Sequence, residues 1–223
     1  AMNIPGGIDV PGAELVLRIH DIAPDPETTV VVNCAGRTRS IIGAQSLINA
    51  GIPNPVVALE NGTMGWHLAG FDLDRGRTES FPALSGDGLS RADKGARRVA
   101  ARFGVSDIDI ATLDTWRADE TRTLYVLDVR DGAGFEAGHL ADAKHAPGGQ
   151  LVQATDRYVG VRGARLVLVD DNGVRARMSA SWLVQMGWDE VYVLEDGLAG
   201  APLVTGPHQP HIIGLDEAQP NTV

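Results

Sequence analysis

Residues 10–62 of this chain come back a second time near residues 146–197. "VPGAEL" at 10–15 is echoed by "APGGQL" at 146–151, and Pro11 stands 136 positions before Pro147. The same offset of 136 relates Asn33 to Val169, Leu47 to Leu183 and Gly51 to Gly187. "VALENG" at 57–62 matches "YVLEDG" at 192–197 with an offset of 135, one residue being lost in a turn. An offset held over about fifty residues marks two copies of one unit. Whatever one copy folds into, the other is committed to as well.

Each copy has the same coarse pattern. A β-branched run, "TVVVN" or "RLVLVD", leads through a short Gly-containing loop into apolar residues at helical spacing over 41–50 or 175–186. Gly51 or Gly187 closes that helix as a C-cap. A second apolar run follows at 55–59 or 190–194, then a Gly-bearing turn. Short, nearly continuous apolar strands alternating with helices predict an α/β fold with mainly parallel sheets covered on both faces. The stretch 72–90 is rich in Gly, Ser and charge and reads as a linker. "RADKGARRVAARFG", from Arg91, predicts a helix, with Leu89, Val99 and Phe103 as its packing residues. The expected organisation is a first domain over 1–75, a linker over 76–90, a second domain over 91–205 and a tail over 206–223, which 223 residues accommodate.

Composition enters through what it excludes. A net charge of -10 argues against nucleic acid or an anionic membrane as partner, since both need a basic face. No apolar run approaches the roughly 20 residues of a membrane span, and "AMNIPGG" has no signal-peptide pattern. A single cysteine cannot form an internal disulfide, so the thiol stays free and a cytoplasmic location is expected. His208 and His211, in "HQPH", are interrupted by Pro210, and neither a metal nor a cofactor is expected.

That cysteine, Cys34, falls at the carboxyl end of a parallel strand, where open α/β sheets place their ligand sites. The loop "CAGRTR" runs into a helix N-terminus, whose unpartnered N–H groups and positive dipole stabilise an anion and lower a thiol pKa. Arg37 and Arg39 add two cations, and Gly36 is expected to let the backbone curl. The residues describe a nucleophile in an anion cradle. Met64 and Trp66 follow the next strand and are expected at the same sheet end, lining the mouth or simply packing.

"NCAGRTRS", the upstream "NIPGGIDVP", the downstream "ALENGTMGW" and, in the second copy, "LYVLDVRDGAGFEAGHLADAKHAPGG" resemble tandem rhodanese-homology domains. The resemblance implies two three-layer α/β/α domains and a sulfurtransferase. In that family the loop cysteine attacks a donor such as thiosulfate, carries the sulfur as a persulfide and passes it to cyanide or a thiol. It implies catalytic roles for Cys34 and Arg39, and a substrate cradle from Ala35, Gly36, Arg37, Thr38 and Ser40. Related phosphatases and arsenate reductases use a loop one residue longer, so the six residues from Cys34 to Arg39 favour sulfur. A non-catalytic protein-interaction scaffold is the alternative.

The second copy lacks the nucleophile. The offset sets Cys34 against Asp170, Ser40 against Ala176 and Arg39 against Arg175, so this copy is expected to be catalytically silent, with Arg175 pairing Asp170. His139, in "FEAGH", is expected to be structural. The first copy reads as N-terminally truncated, because the offset sets Asn3 against His139 and leaves "LYVLDVRDGAGFEAG" without a counterpart. Filling by residues 8–10, by the second domain, by the tail with its apolar Ile212 and Ile213, by a further domain or by a strand from a partner chain, such as a second copy, would complete its sheet.

Overall fold

The computed structural model describes residues 2–76 and 80–207. The first copy contains β1 (Met2–Asn3), a 3-10 turn (Gly12–Glu14), α1 (Leu15–Ile22), β2 (Val30–Val32), α2 (Thr38–Ala50), β3 (Val56–Ala58), α3 (Gly62–Leu68) and β4 (Asp74–Arg75). A long helix, α4 (Gly86–Phe103), follows. The second copy then runs through β5 (Ser106–Ile108), α5 (Ile110–Arg117), β6 (Leu124–Asp128), α6 (Gly132–Ala137), β7 (Lys144–His145), α7 (Gly148–Gln153), β8 (Arg165–Val169), α8 (Val174–Gln185) and β9 (Val191–Leu194). The sequence offset survives in three dimensions: α2 and α8 begin 136 residues apart, at Thr38 and Val174.

Two helix starts differ from the sequence expectation. The helix expected over 41–50 begins at Thr38, because apolar spacing cannot mark a first turn whose polar residues face a loop rather than the core. The helix expected from Arg91 begins at Gly86, where Ser85 caps it by accepting the Gly88 N–H at 2.9 Å. Its glycines disguised the first turn as linker, so 86–90 is helical.

In the second copy five strands form one parallel sheet in the order β5-β9-β8-β6-β7. Alternation along β6 and β8 sends Leu127, Leu166 and Leu168 to one face, against Leu151 of α7 and Ala180 and Leu183 of α8. Val126, Val167 and Val169 go to the other, against Leu113 of α5 and Phe135 of α6. This is the expected three-layer α/β/α arrangement.

The first copy is built on a smaller ladder. β2 pairs in parallel with β3, and β1 pairs antiparallel with β4. Among the described residues no strand lies on the other edge of β2, the edge that β6 covers on β8. The segment 8–10 does not move in: Asp9 makes a single bridge to Ser80, and Ile8 is exposed. The consequence is legible at one pair of equivalent positions. Val31 of β2 is 47% exposed, whereas Val167 of β8 is fully buried.

Core continuity comes from α4. Its small residues Ala92, Gly95, Ala96 and Ala100, with Val99, are buried where α4 meets α1, α2 and α8, Gly95 lying against Ala50 of α2, and Leu89 and Phe103 pack at the edges as expected. One apolar cluster therefore runs from Val16, Leu17 and Leu47 in the first copy, through Ala92, Ala96 and Val99, to Val174 and Met178 in the second.

Candidate active site

Three short segments build the site. β2 delivers Cys34 to its carboxyl end, α2 starts at Thr38, and α3 starts at Gly62 directly behind the loop. The Thr63 N–H donates to the Cys34 carbonyl at 2.8 Å and the Met64 N–H to that of Ala35 at 3.0 Å. These bonds turn the loop carbonyls away from the thiol and toward α3. Gly62 has φ +56°, and a Cβ there would lie 2.2 Å from the Cys34 carbonyl oxygen, so a larger side chain cannot be accommodated. Gly197 repeats this in the second copy, with φ +58° and a Cβ position 2.3 Å from the Asp170 carbonyl oxygen. Asn33 donates from Nδ2 to Thr63 Oγ1 and to Asn3 Oδ1, both at 3.2 Å, tying the strand end to its neighbours.

The Cys34 side chain is half-buried. Its sulfur lies 3.6 Å from Ser40 Oγ, which is buried and donates to the Arg37 carbonyl at 2.8 Å. Burial pushes the Cys34 thiol up, but this is outweighed by the Ser40 hydroxyl, the N–H groups of Ser40 and Gly36, and the Arg39 charge, which together hold the thiol below its ordinary value. The result is a larger thiolate fraction on an accessible sulfur.

Ala35, Arg37, Thr38 and Arg39 are exposed around the thiol, and Gly36 is partly so. Neither Arg37 nor Arg39 makes an ion pair among the described residues. Gly36 does not serve the purpose expected of it: its φ lies outside the left-handed region, and an added Cβ would meet nothing within 4 Å. What glycine contributes there is open space above the loop. Trp66 packs, its ring 4.7 Å from that of Phe71 and its Nε1 donating to the Asp72 carbonyl. His208 and His211 lie outside the described residues.

The equivalent loop of the second copy is filled from within. Asp170 is buried, and its carboxylate accepts the Gly173 N–H at 2.5 Å and the Arg175 N–H at 3.0 Å. These amides are the counterparts of those of Arg37 and Arg39. Arg175 does not chiefly pair with Asp170, 3.9 Å away. It bonds Asp171 at 2.7 Å and, across the boundary between the copies, the buried carboxylate of Glu14. Glu14 was not singled out from the sequence; its acid, facing Gln150 at the equivalent position, was the available signal. Burial pushes the Asp170 carboxyl up to about 6 despite the opposing Arg175 charge and amide bonds. His139 is structural as expected, stacked on Phe135 at 3.7 Å with Nδ1 2.9 Å from the Phe135 carbonyl.

The rhodanese-like domain matches residues 1–69 and 111–201, more than half of the chain. The chain belongs to the rhodanese-like family. The two matched regions of this rhodanese-like chain are the two copies read from the offset. A thiosulfate sulfurtransferase of Pseudomonas aeruginosa, known by crystal structure, is 59% identical with a TM-score of 0.84, over 94% of this chain and 41% of that one. The thiosulfate sulfurtransferase GlpE of Shewanella oneidensis is 28% identical over 82 residues, 36% of this chain and 77% of that protein. GlpE of Coxiella burnetii is 27% identical over 88 residues, 40% of this chain and 80% of that protein. The rhodanese-like chain thus spans less than half the length of the Pseudomonas protein. Among its described residues no helix is long and apolar enough to cross a membrane.

Proposed function

We propose that this chain is a sulfurtransferase that moves sulfane sulfur from thiosulfate, or a donor like it, to a thiophilic acceptor such as cyanide or a thiol through Cys34. The observation that carries the reading is the Cys34 thiol itself, set beside Ser40, within the field of Arg39, which makes no ion pair among the described residues, and held below its ordinary pKa. The Cys34 thiolate attacks the outer sulfur of thiosulfate. The bond between that sulfur and the sulfonate breaks, and sulfite leaves with the electron pair. Cys34 then carries a persulfide, whose negative outer sulfur is stabilised by the amides at the start of α2 and by the Arg39 charge. Attack of cyanide on that sulfur releases thiocyanate and restores the thiolate. Ala35, Gly36, Arg37, Thr38 and Ser40 bind the donor, and a reducing compartment such as the cytoplasm suits an unpaired catalytic thiol.

Intact-mass spectrometry after incubation with thiosulfate tests this. We expect a species heavier by one sulfur atom, discharged by cyanide and absent in Cys34→Ser. An unmodified mass with every sulfane donor tried would refute the reading and leave the scaffold role.

A further inference from the structure

Arg39 and Arg175 occupy equivalent positions in the two copies, yet only Arg175 is surrounded by acids. Arg175 is buried and meets three acids: Asp170, Asp171 and Glu14. Two of them belong to its own loop, and the third reaches it from the other copy. At the equivalent positions around Arg39 the chain has Cys34, Ala35 and Gln150, none of them acidic.

The third replacement matters because the contact between the copies is reciprocal. Ser46 and Trp182, equivalent positions 136 residues apart, bond each other at 2.9 Å, which is what residues beside a local two-fold axis do. The Gly12 and Gly149 backbones pass so closely that a Cβ on Gly149 would lie 3.5 Å from the Gly12 Cα. The turn of Gly12–Glu14 packs on α8, and its counterpart α7 packs on α2. Across the first of these contacts Glu14 clamps Arg175. Across the second, where α7 meets α2, the offset of 136 makes Gln150 the counterpart of Glu14 and Arg39 that of Arg175. Both are exposed, and among the described residues no acid pairs with Arg39.

We infer that Gln150, supplied by the second copy, is a specificity-determining residue for the Cys34 site: its neutral side chain leaves the Arg39 guanidinium uncompensated and open to an anionic sulfur donor. The second copy therefore contributes to the site through the charge it withholds. The inference rests on the sulfurtransferase reading only for the identity of the anion.

Because Cys34 is the sole cysteine, its alkylation can be followed without turnover. The rate with anionic iodoacetate divided by the rate with neutral iodoacetamide cancels the thiolate fraction and reports the local field. Gln150→Glu is expected to lower this ratio about three- to fivefold, the scale of an exposed ion pair, and Gln150→Met to keep it within about twofold. In an Arg39→Met background the effect of Gln150→Glu should shrink to less than about half. An unchanged ratio in Gln150→Glu, an equal fall in Gln150→Met, or a fall that survives in full without Arg39 would overturn the inference. Should no persulfide form while the ratios behave as expected, the sulfurtransferase reading fails and the role of Gln150 stands.

Discussion

The loops after β2 and β8 share a backbone design and differ in what sits inside it. Each leaves a parallel strand, is backed by a glycine in the left-handed region and enters a helix through amides that attract an anion. In the first copy that space faces solvent beside Cys34; in the second the Asp170 carboxylate fills it, and Glu14 neutralises the arginine behind it. The difference teaches that an anion cradle has two stable uses. Left open it can receive an anion from outside, and closed by a side chain of its own it becomes core.

The strongest way to break the comparison is to treat the two sheets alike. Val31→Asp and Val167→Asp make the same change at equivalent positions. At the fully buried Val167 the charge has no water and no partner, so a loss of about 4 kcal/mol or more is expected, a large part of a domain's stability. At Val31, 47% exposed, the change should stay within about 1 kcal/mol. Urea unfolding followed by circular dichroism measures both, and equal losses would mean that the face of β2 carrying Val31 is covered in solution.

Asp170 gives a smaller, pH-dependent effect. Its folded-state pKa of about 6 lies above the roughly 4 of an unfolded aspartate, so the folded state binds this proton more tightly. Its contribution is therefore fully present below about pH 4 and is lost as pH rises through 6. Between pH 5 and pH 7 the loss amounts to about 1 kcal/mol. Asp170→Asn removes the titration, and the difference between wild-type and variant stability should change across that window. A constant difference would mean that Asp170 does not titrate there.

The smallest effect concerns Ser40 and its counterpart Ala176. Ser40→Ala removes a hydroxyl that favours the Cys34 thiolate, so the apparent pKa of iodoacetamide alkylation should rise and the rate at neutral pH fall a few-fold. Ala176→Ser should leave the alkylation profile of Cys34 unchanged.

These contrasts also show what the sequence exposes and what it hides. The offset of 136 carried the α/β fold, the duplication and the placement of Cys34, because strand and helix periodicities are local and a repeat reports them twice. Ser40, Ala176 and Asp170 were legible by the same register. The start of α4 was not, since a Gly-rich first turn lacks apolar spacing and only Ser85 announces the cap. Glu14 opposite Arg175 was hidden for a different reason. The pair is 161 residues apart and joins non-equivalent positions, so neither periodicity nor register aligns its members.

The shared helix α4 has a consequence for how the molecule comes apart. A duplicated chain could melt in two steps, one for each half. Here Ala92, Ala96 and Val99 pack into a cluster that also holds Leu17 and Met178, so releasing either half strips α4 of one wall. The small side chains that allow this close approach leave little apolar area to retain the helix on one side alone. The two halves should therefore share a single cooperative transition, with α4 among the slowest regions to exchange amide hydrogens.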